Sequence, residues 1–112
     1  MCLFCKIAAK QIPAKILFED DDLVAFHDIN PGAPTHVLVI PKEHIVSISD
    51  GKPEHTTLLG KLLLATARVA EETGIAQSGY RVVTNTGPNA GQSVLHLHLH
   101  VLGGRALAWP PG

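Results

Sequence analysis

The chain has 112 residues, 46% of them hydrophobic, and 9 Lys and Arg against 10 Asp and Glu give a formal net charge of −1. That length suits one small domain with a modest core, and the apolar content excludes a disordered chain. Near-neutral charge without a basic stripe argues against duplex nucleic acid as a partner, while a single nucleotide stays open because backbone amides can hold one phosphate.

In chain order, "MCLFCK" comes first, with Cys2 and Cys5. The N-terminus lacks a signal-peptide pattern and no apolar run is long enough to span a membrane, so a cytoplasmic protein is expected. A structural disulfide between the two cysteines is not expected there. Leu3, Phe4 and Ile7 suit a short helix that Pro13 interrupts. "AKILFED" and "DLVAFHDI" read as two strands joined by the acidic turn Glu19 to Asp22, and "HVLVIP" as a third after the Pro- and Gly-rich loop "NPGAPT". From Pro53 to Thr73 the period changes: Leu58, Leu59, Leu62, Leu63, Ala67 and Ala70 recur at helical spacing, with Gly74 as a C-cap. "YRVVTN" is a fourth strand, "TGPNAGQ" a glycine-rich loop, and "RALAWPPG" an irregular tail. The expected fold is α+β: a five-stranded antiparallel meander with one long helix and a short N-terminal helix, all in one domain over residues 1–112.

The fifth strand is "SVLHLHLHVLGG", where His96, His98 and His100 alternate with Leu97, Leu99 and Val101. Strict alternation marks a strand with one buried face. Side chains two apart then share a face at about 6.6 Å spacing, too far for all three imidazoles to reach one metal without a bend. The row is therefore expected to divide its labour. A solvated strand face would more commonly carry Thr, Lys, Glu or Ser. Upstream, Gly87 and Gly91 permit backbone turns that aim amides at one point, a nest for an anion, and Gln92 and Ser93 add side-chain hydrogen-bonding groups. Two thiolates at Cys-x-x-Cys spacing supply half of a tetrahedral zinc site; the alternative is two free thiols.

"HLHLHV" resembles the signature of the histidine triad family of nucleotide hydrolases and transferases. "NTGPNAGQSV" and "FHDINPGAPTHVLVIPKEH" are similar to the family's approach to that signature and to its first half, so the resemblance covers nearly the whole chain. The ending "VLGGRALAWPPG" is similar to the Hint branch, the purine nucleoside phosphoramidases.

The resemblance implies a set of roles. His98 is the nucleophile toward an α-phosphorus, with no catalytic metal required. His100, Ser93 and amides of the glycine loop hold the developing charge, His36 supports the row from the third strand, and His96 is counted in the catalytic set as the first histidine of the row. Asp28 accepts from the ribose hydroxyls; read alone, it also suits an Asx turn before Pro31. Asn85 and Ser93 lie near the sugar and leaving group, and Gly91, Gln92, Ser93 and Val94 belong to the phosphate-side loop. Phe4, Ile7, Phe26, His27, Ile29 and Leu38 line the base pocket, although Ile7 and Leu38 equally suit ordinary core. His44 and His96 complete a zinc site with Cys2 and Cys5, which would split the row: His96 on zinc, His98 on phosphorus, His100 on phosphate.

The implied substrates are adenosine or guanosine 5′-phosphoramidates and aminoacyl adenylates. Dinucleoside polyphosphates, as in the Fhit branch, and a nucleotide-sensing or protein-interaction module are the other readings. The family also dimerises through its long helix and an extended sheet. The tail, with the only Trp, Trp109, is expected to lie beside the partner's active site.

Overall fold

A computed structural model describes residues 2–112. Helix α1 (Leu3–Ala8) is followed by strands β1 (Ile16–Glu19), β2 (Leu23–His27) and β3 (Thr35–Pro41), helix α2 (Thr56–Thr73), and strands β4 (Tyr80–Val83) and β5 (Leu99–Gly103). Short 3₁₀ turns precede α2 and fill the glycine loop. Gly74 ends α2 in the left-handed conformation, φ 79°, as its lack of a Cβ allows. No helix among the described residues is long and apolar enough to cross a membrane.

All strand pairs are antiparallel, in the order β1-β2-β3-β5-β4. The first three strands form the expected meander. The last two form a hairpin whose second strand, not its first, docks on β3. This places the histidine strand in the middle of the sheet.

Both faces of the sheet are covered. Leu23 and Ala25 of β2, Val37 and Val39 of β3, and Leu99 and Val101 of β5 share one core with Leu62, Val69 and Ala70 of α2. The alternate residues Val24, Phe26, Leu38 and Ile40 pack with Phe4 and Ile7 of α1. Because side chains alternate along a strand, His36 falls on the α1 face with Leu38. In the register, Leu38 faces His100 and His36 faces Leu102. His36 and His100 are thus diagonal neighbours on one face, within reach of each other.

Two expectations need correction. The regular strand begins only at Leu99, so His96 and His98 precede it. There Leu97 donates its N–H to Ile45 O at 2.6 Å, outside the sheet ladder, and the chain has already left β3. On α2, Leu63 and Ala67 do not enter the core; Leu62, Ala65, Thr66, Val69 and Ala70 do. Leu63 and Leu64 stay 59% and 75% exposed, which leaves a second apolar face open on the single chain.

Candidate active site

A pocket of about 910 Å³ opens on the α1 face of the sheet. Its apolar wall is Leu3, Phe4, Ile7, Phe26 and Leu38, its rim carries His27, Asp28, Ile29 and Asn30, and its far end carries Ser93, Val94, His98 and His100. Of the residues expected here, Phe4, Ile7, Phe26, His27, Asp28, Ile29, Leu38, Ser93, Val94, His98 and His100 are brought together. Sequence reasoning missed Leu3, Ile12, Pro13, Ala14, Lys15 and Asn30, which also line it. Leu3 and residues 12–15 lie on or after α1 and Asn30 follows Ile29, so the assignment of Phe4, Ile7 and Ile29 to the pocket was the signal that could have found them.

Asn85, Gly91 and Gln92 are not among the lining residues. Gly87 and Gly91 do take positive φ, 81° each. Their amides, however, are turned inward. Gly87 N–H donates to Gln92 Oε1 at 3.0 Å, Gly91 N–H to Pro88 O, and Gln92 N–H to Gly87 O. The Gln92 amide group in turn donates to Val46 O and Val94 O. The glycine loop is locked as a rigid turn, and these three amides are committed to it instead of forming an anion nest.

His36, His96, His98 and His100 sort by their hydrogen bonds. His98 Nδ1 is 2.7 Å from the carbonyl oxygen of His96. A carbonyl only accepts, so Nδ1 carries the proton and Nε2 keeps its lone pair. The His98 ring is 5% exposed and stands edge-on to Phe4, centroids 5.1 Å apart.

The same logic runs through His36 and His100. Gly32 N–H donates to His36 Nδ1 at 2.9 Å, so His36 is protonated at Nε2. That Nε2 lies 2.8 Å from His100 Nδ1 and 3.4 Å from Asp28 Oδ2. His100 therefore accepts at Nδ1 and presents Nε2–H. Burial first, and then the His98 and His36 imidazoles, push the His100 ring down to about 4, against an upward pull from Asp28. Burial likewise lowers His36, again opposed by Asp28. Asp28 forms the expected Asx turn, Oδ1 accepting from Asn30 N–H, and it also lines the pocket.

Asp28, His36 and His100 also bring three donor atoms together. A cation on His36 Nε2 would displace the proton that the Gly32 bond places there. This trio is a hydrogen-bond relay.

His96 faces elsewhere. Its ring is fully buried, and Nε2–H donates to Pro41 O at 2.8 Å, which frees Nδ1. Cys2 Sγ and Cys5 Sγ lie 3.2 and 3.5 Å from that Nδ1, and 3.5 and 3.2 Å from His44 Nδ1. The two ring nitrogens are 3.1 Å apart. Tetrahedral zinc with bonds of roughly 2.3 Å to sulfur and 2.0 Å to nitrogen separates such ligands by roughly 3.5 Å. The donor set and its spacing fit. Cys5 N–H also donates to Cys2 Sγ, which fixes that sulfur beside the cluster. Burial, then the neighbouring Cys2, raise the Cys5 thiol above its ordinary value; a bound dication acts in the opposite sense. His96 was expected in both the catalytic set and the metal set, and its ring belongs with the cysteines.

The HIT domain family model matches residues 9–107. The chain belongs to the HIT family. This HIT protein is 53% identical over 110 residues to an uncharacterized HIT-like protein of Synechococcus elongatus, covering 98% of this chain and 96% of that one. It is 46% identical to a 14 kDa zinc-binding protein of Zea mays, covering 98% and 87%. The crystal structure of a HIT family hydrolase from Legionella pneumophila superposes with a TM-score of 0.98 at 49% identity, with all of both chains covered. A HIT family hydrolase from Clostridium thermocellum gives 0.93 at 47%, with 96% and 93% covered. By these likenesses the protein is HIT family hydrolase-like.

Proposed function

We propose that this protein hydrolyses the P–N bond of purine nucleoside 5′-phosphoramidates, and the P–O bond to the acyl group in related aminoacyl adenylates, releasing AMP or GMP. The observation that carries the reading is His98. Its Nδ1–H is tied to the backbone carbonyl of His96, so the Nε2 lone pair is the reactive edge of a ring that lines a nucleotide-sized pocket.

In the first step His98 Nε2 forms a bond to the α-phosphorus and the P–N bond breaks. The amine leaves with a proton from solvent. The imidazole now bears a positive charge, which the His96 carbonyl dipole at Nδ1–H stabilises. In the second step water attacks phosphorus and gives up a proton to solvent, the P–Nε2 bond breaks, and neutral His98 returns with the nucleoside monophosphate released. The Nε2–H of His100 and the Ser93 hydroxyl donate to the phosphoryl oxygens as charge develops. A neutral His100 suits this task, because it holds its proton as a donor across the physiological range. The base lies among Phe4, Ile7, Phe26 and Leu38, and Asp28 accepts from the ribose.

Zinc on Cys2, Cys5, His44 and His96 is structural in this reading. When bound it cross-links α1 to the segment before β5 and supplies folding energy. A cytoplasmic location would keep both thiols reduced for it. The protein acts as a homodimer, hiding Leu63 and Leu64. The tail reaches the partner's leaving-group side.

The test is turnover on a panel of adenosine and guanosine phosphoramidates beside dinucleoside polyphosphates, with acid-quenched protein examined by mass spectrometry. Faster phosphoramidate cleavage with a nucleotidyl adduct on His98 is expected. Preferential polyphosphate cleavage, or no turnover of either class, overturns the reading.

A further inference from the structure

The relay that sets the His100 tautomer begins outside the pocket. Gly32 lies in the loop between β2 and β3, and both of its backbone polar groups are held. Its N–H donates to His36 Nδ1 at 2.9 Å, and its carbonyl accepts from Arg105 Nη2 at 2.9 Å. The other guanidinium nitrogen, Nη1, donates to Ala106 O at 3.0 Å.

Arg105 reaches this loop because the chain turns sharply at Gly104, where φ is 91°. A Cβ on Gly104 would stand 2.9 Å from Pro34 Cβ, so only glycine allows the end of β5 to press this closely on the loop. The contact spans a sequence separation of 73 residues, and the loop it anchors carries no strand pairing of its own.

We propose that Arg105 is a positioning residue: by clamping the Gly32 carbonyl, it fixes the backbone whose Gly32 N–H holds His36 in the Nε2–H tautomer, which makes His100 offer Nε2–H to the pocket. The chain of bonds is Arg105 Nη2–H to Gly32 O, Gly32 N–H to His36 Nδ1, and His36 Nε2–H to His100 Nδ1. Asp28 Oδ2, 3.4 Å from His36 Nε2, favours the same tautomer less directly. Without the clamp, the Gly32 amide is free to leave His36 Nδ1. A ring with no donor at Nδ1 can take its proton there, turn its lone pair on His100, and break the relay. The catalytic consequence rests on the function proposed above, but the tautomer does not.

The test uses full-length protein with ¹⁵N-labelled histidine. Imidazole nitrogen spectra are recorded for the wild type, Arg105→Ala and Arg105→Lys, and phosphoramidate turnover is measured alongside. The wild type is expected to show His36 and His100 protonated at Nε2 alone. Arg105→Ala should add an Nδ1–H population at one or both rings and lower kcat by about tenfold with little change in KM, the scale of lost outer-shell support. Arg105→Lys keeps a donor for the Gly32 carbonyl and should recover most of both. Wild-type tautomers in Arg105→Ala overturn the proposal, whether or not kcat falls. Because the spectra need no substrate, a protein that cleaves no phosphoramidate yet shows the tautomer change would refute the activity and leave this inference standing.

Discussion

The Nδ1 of His98 lies 2.7 Å from the carbonyl oxygen of His96, while the His96 ring points to the cysteine pair. One residue therefore serves two sites, with its backbone holding the His98 ring and its side chain joining the metal-type cluster. Phe4 touches both rings, with centroids 6.0 Å from His96 and 5.1 Å from His98, and so ties the base pocket to the same joint.

His98→Ala should remove the nucleotidyl adduct and lower turnover by at least about a thousandfold, as loss of a nucleophile does. The ring is buried against Phe4, so a modest fall in Tm accompanies the loss, within the few kcal/mol that large-to-small changes cost. Circular dichroism and quenched-flow mass spectrometry check the two effects separately. An adduct in this variant would show that another residue attacks.

Metal analysis of protein prepared with zinc should find one equivalent per chain, and none in Cys2→Ser/Cys5→Ser. Chelation should lower Tm in the wild type and leave that double variant unmoved, since binding to the native state alone adds stability. Loss of the cross-link should also weaken AMP binding, because α1 carries Phe4 and Ile7 into the pocket. Calorimetric titration of AMP with and without chelator reads this directly.

Stability should fall as the pH drops from 7 toward 5. His100 titrates at about 4 in the folded chain, below its ordinary 6.5. Between those values the unfolded chain binds the proton and the folded chain does not, so acid favours unfolding. The contribution of the neutral ring is complete above about pH 6.5 and is lost on the way down to about pH 4. His36 is shifted in the same direction by burial. Urea midpoints measured across this range should slope downward, and His100→Gln should flatten the slope. An unchanged slope would mean that His100 protonates in the folded state as freely as in the unfolded one.

Light scattering at micromolar concentration should give twice the monomer mass, and Leu64→Glu, on the exposed face of α2, should shift the protein toward monomer. In the dimer, the tail is expected to act on the partner's site. Trp109 is 80% exposed on the single chain, its nearest cation being Arg81 at 5.9 Å from the ring centroid. Deleting Ala108 to Gly112 should reorder the preferred leaving amines more than the preferred bases. A series of phosphoramidates ranked as before would remove the tail from substrate selection.

Alternation in "HLHLHV" determined by itself that Leu97, Leu99 and Val101 face a core while His98 and His100 face away from it, because a period of two leaves an extended chain no other choice. Leucine spacing likewise determined α2, and Gly74 its end. What the period could not convey is where extended backbone stops being paired strand. The ladder begins at Leu99, and the bend before it carries the His96 ring to Cys2, Cys5 and His44. The glycine loop shows the same limit: Gly87 and Gly91 announced a tight turn, but the direction of their amides was decided by Gln92, whose side chain took one of them. Tautomers lie furthest from the sequence. Which nitrogen of His36, His98 or His100 carries a proton depends on whether a carbonyl, an amide or another ring stands opposite; Gly32 and His96 are near in sequence, but His36 and His100 meet only because β3 and β5 pair. Local pattern sets the direction of a side chain; the folded backbone, near and far, supplies the atom it meets.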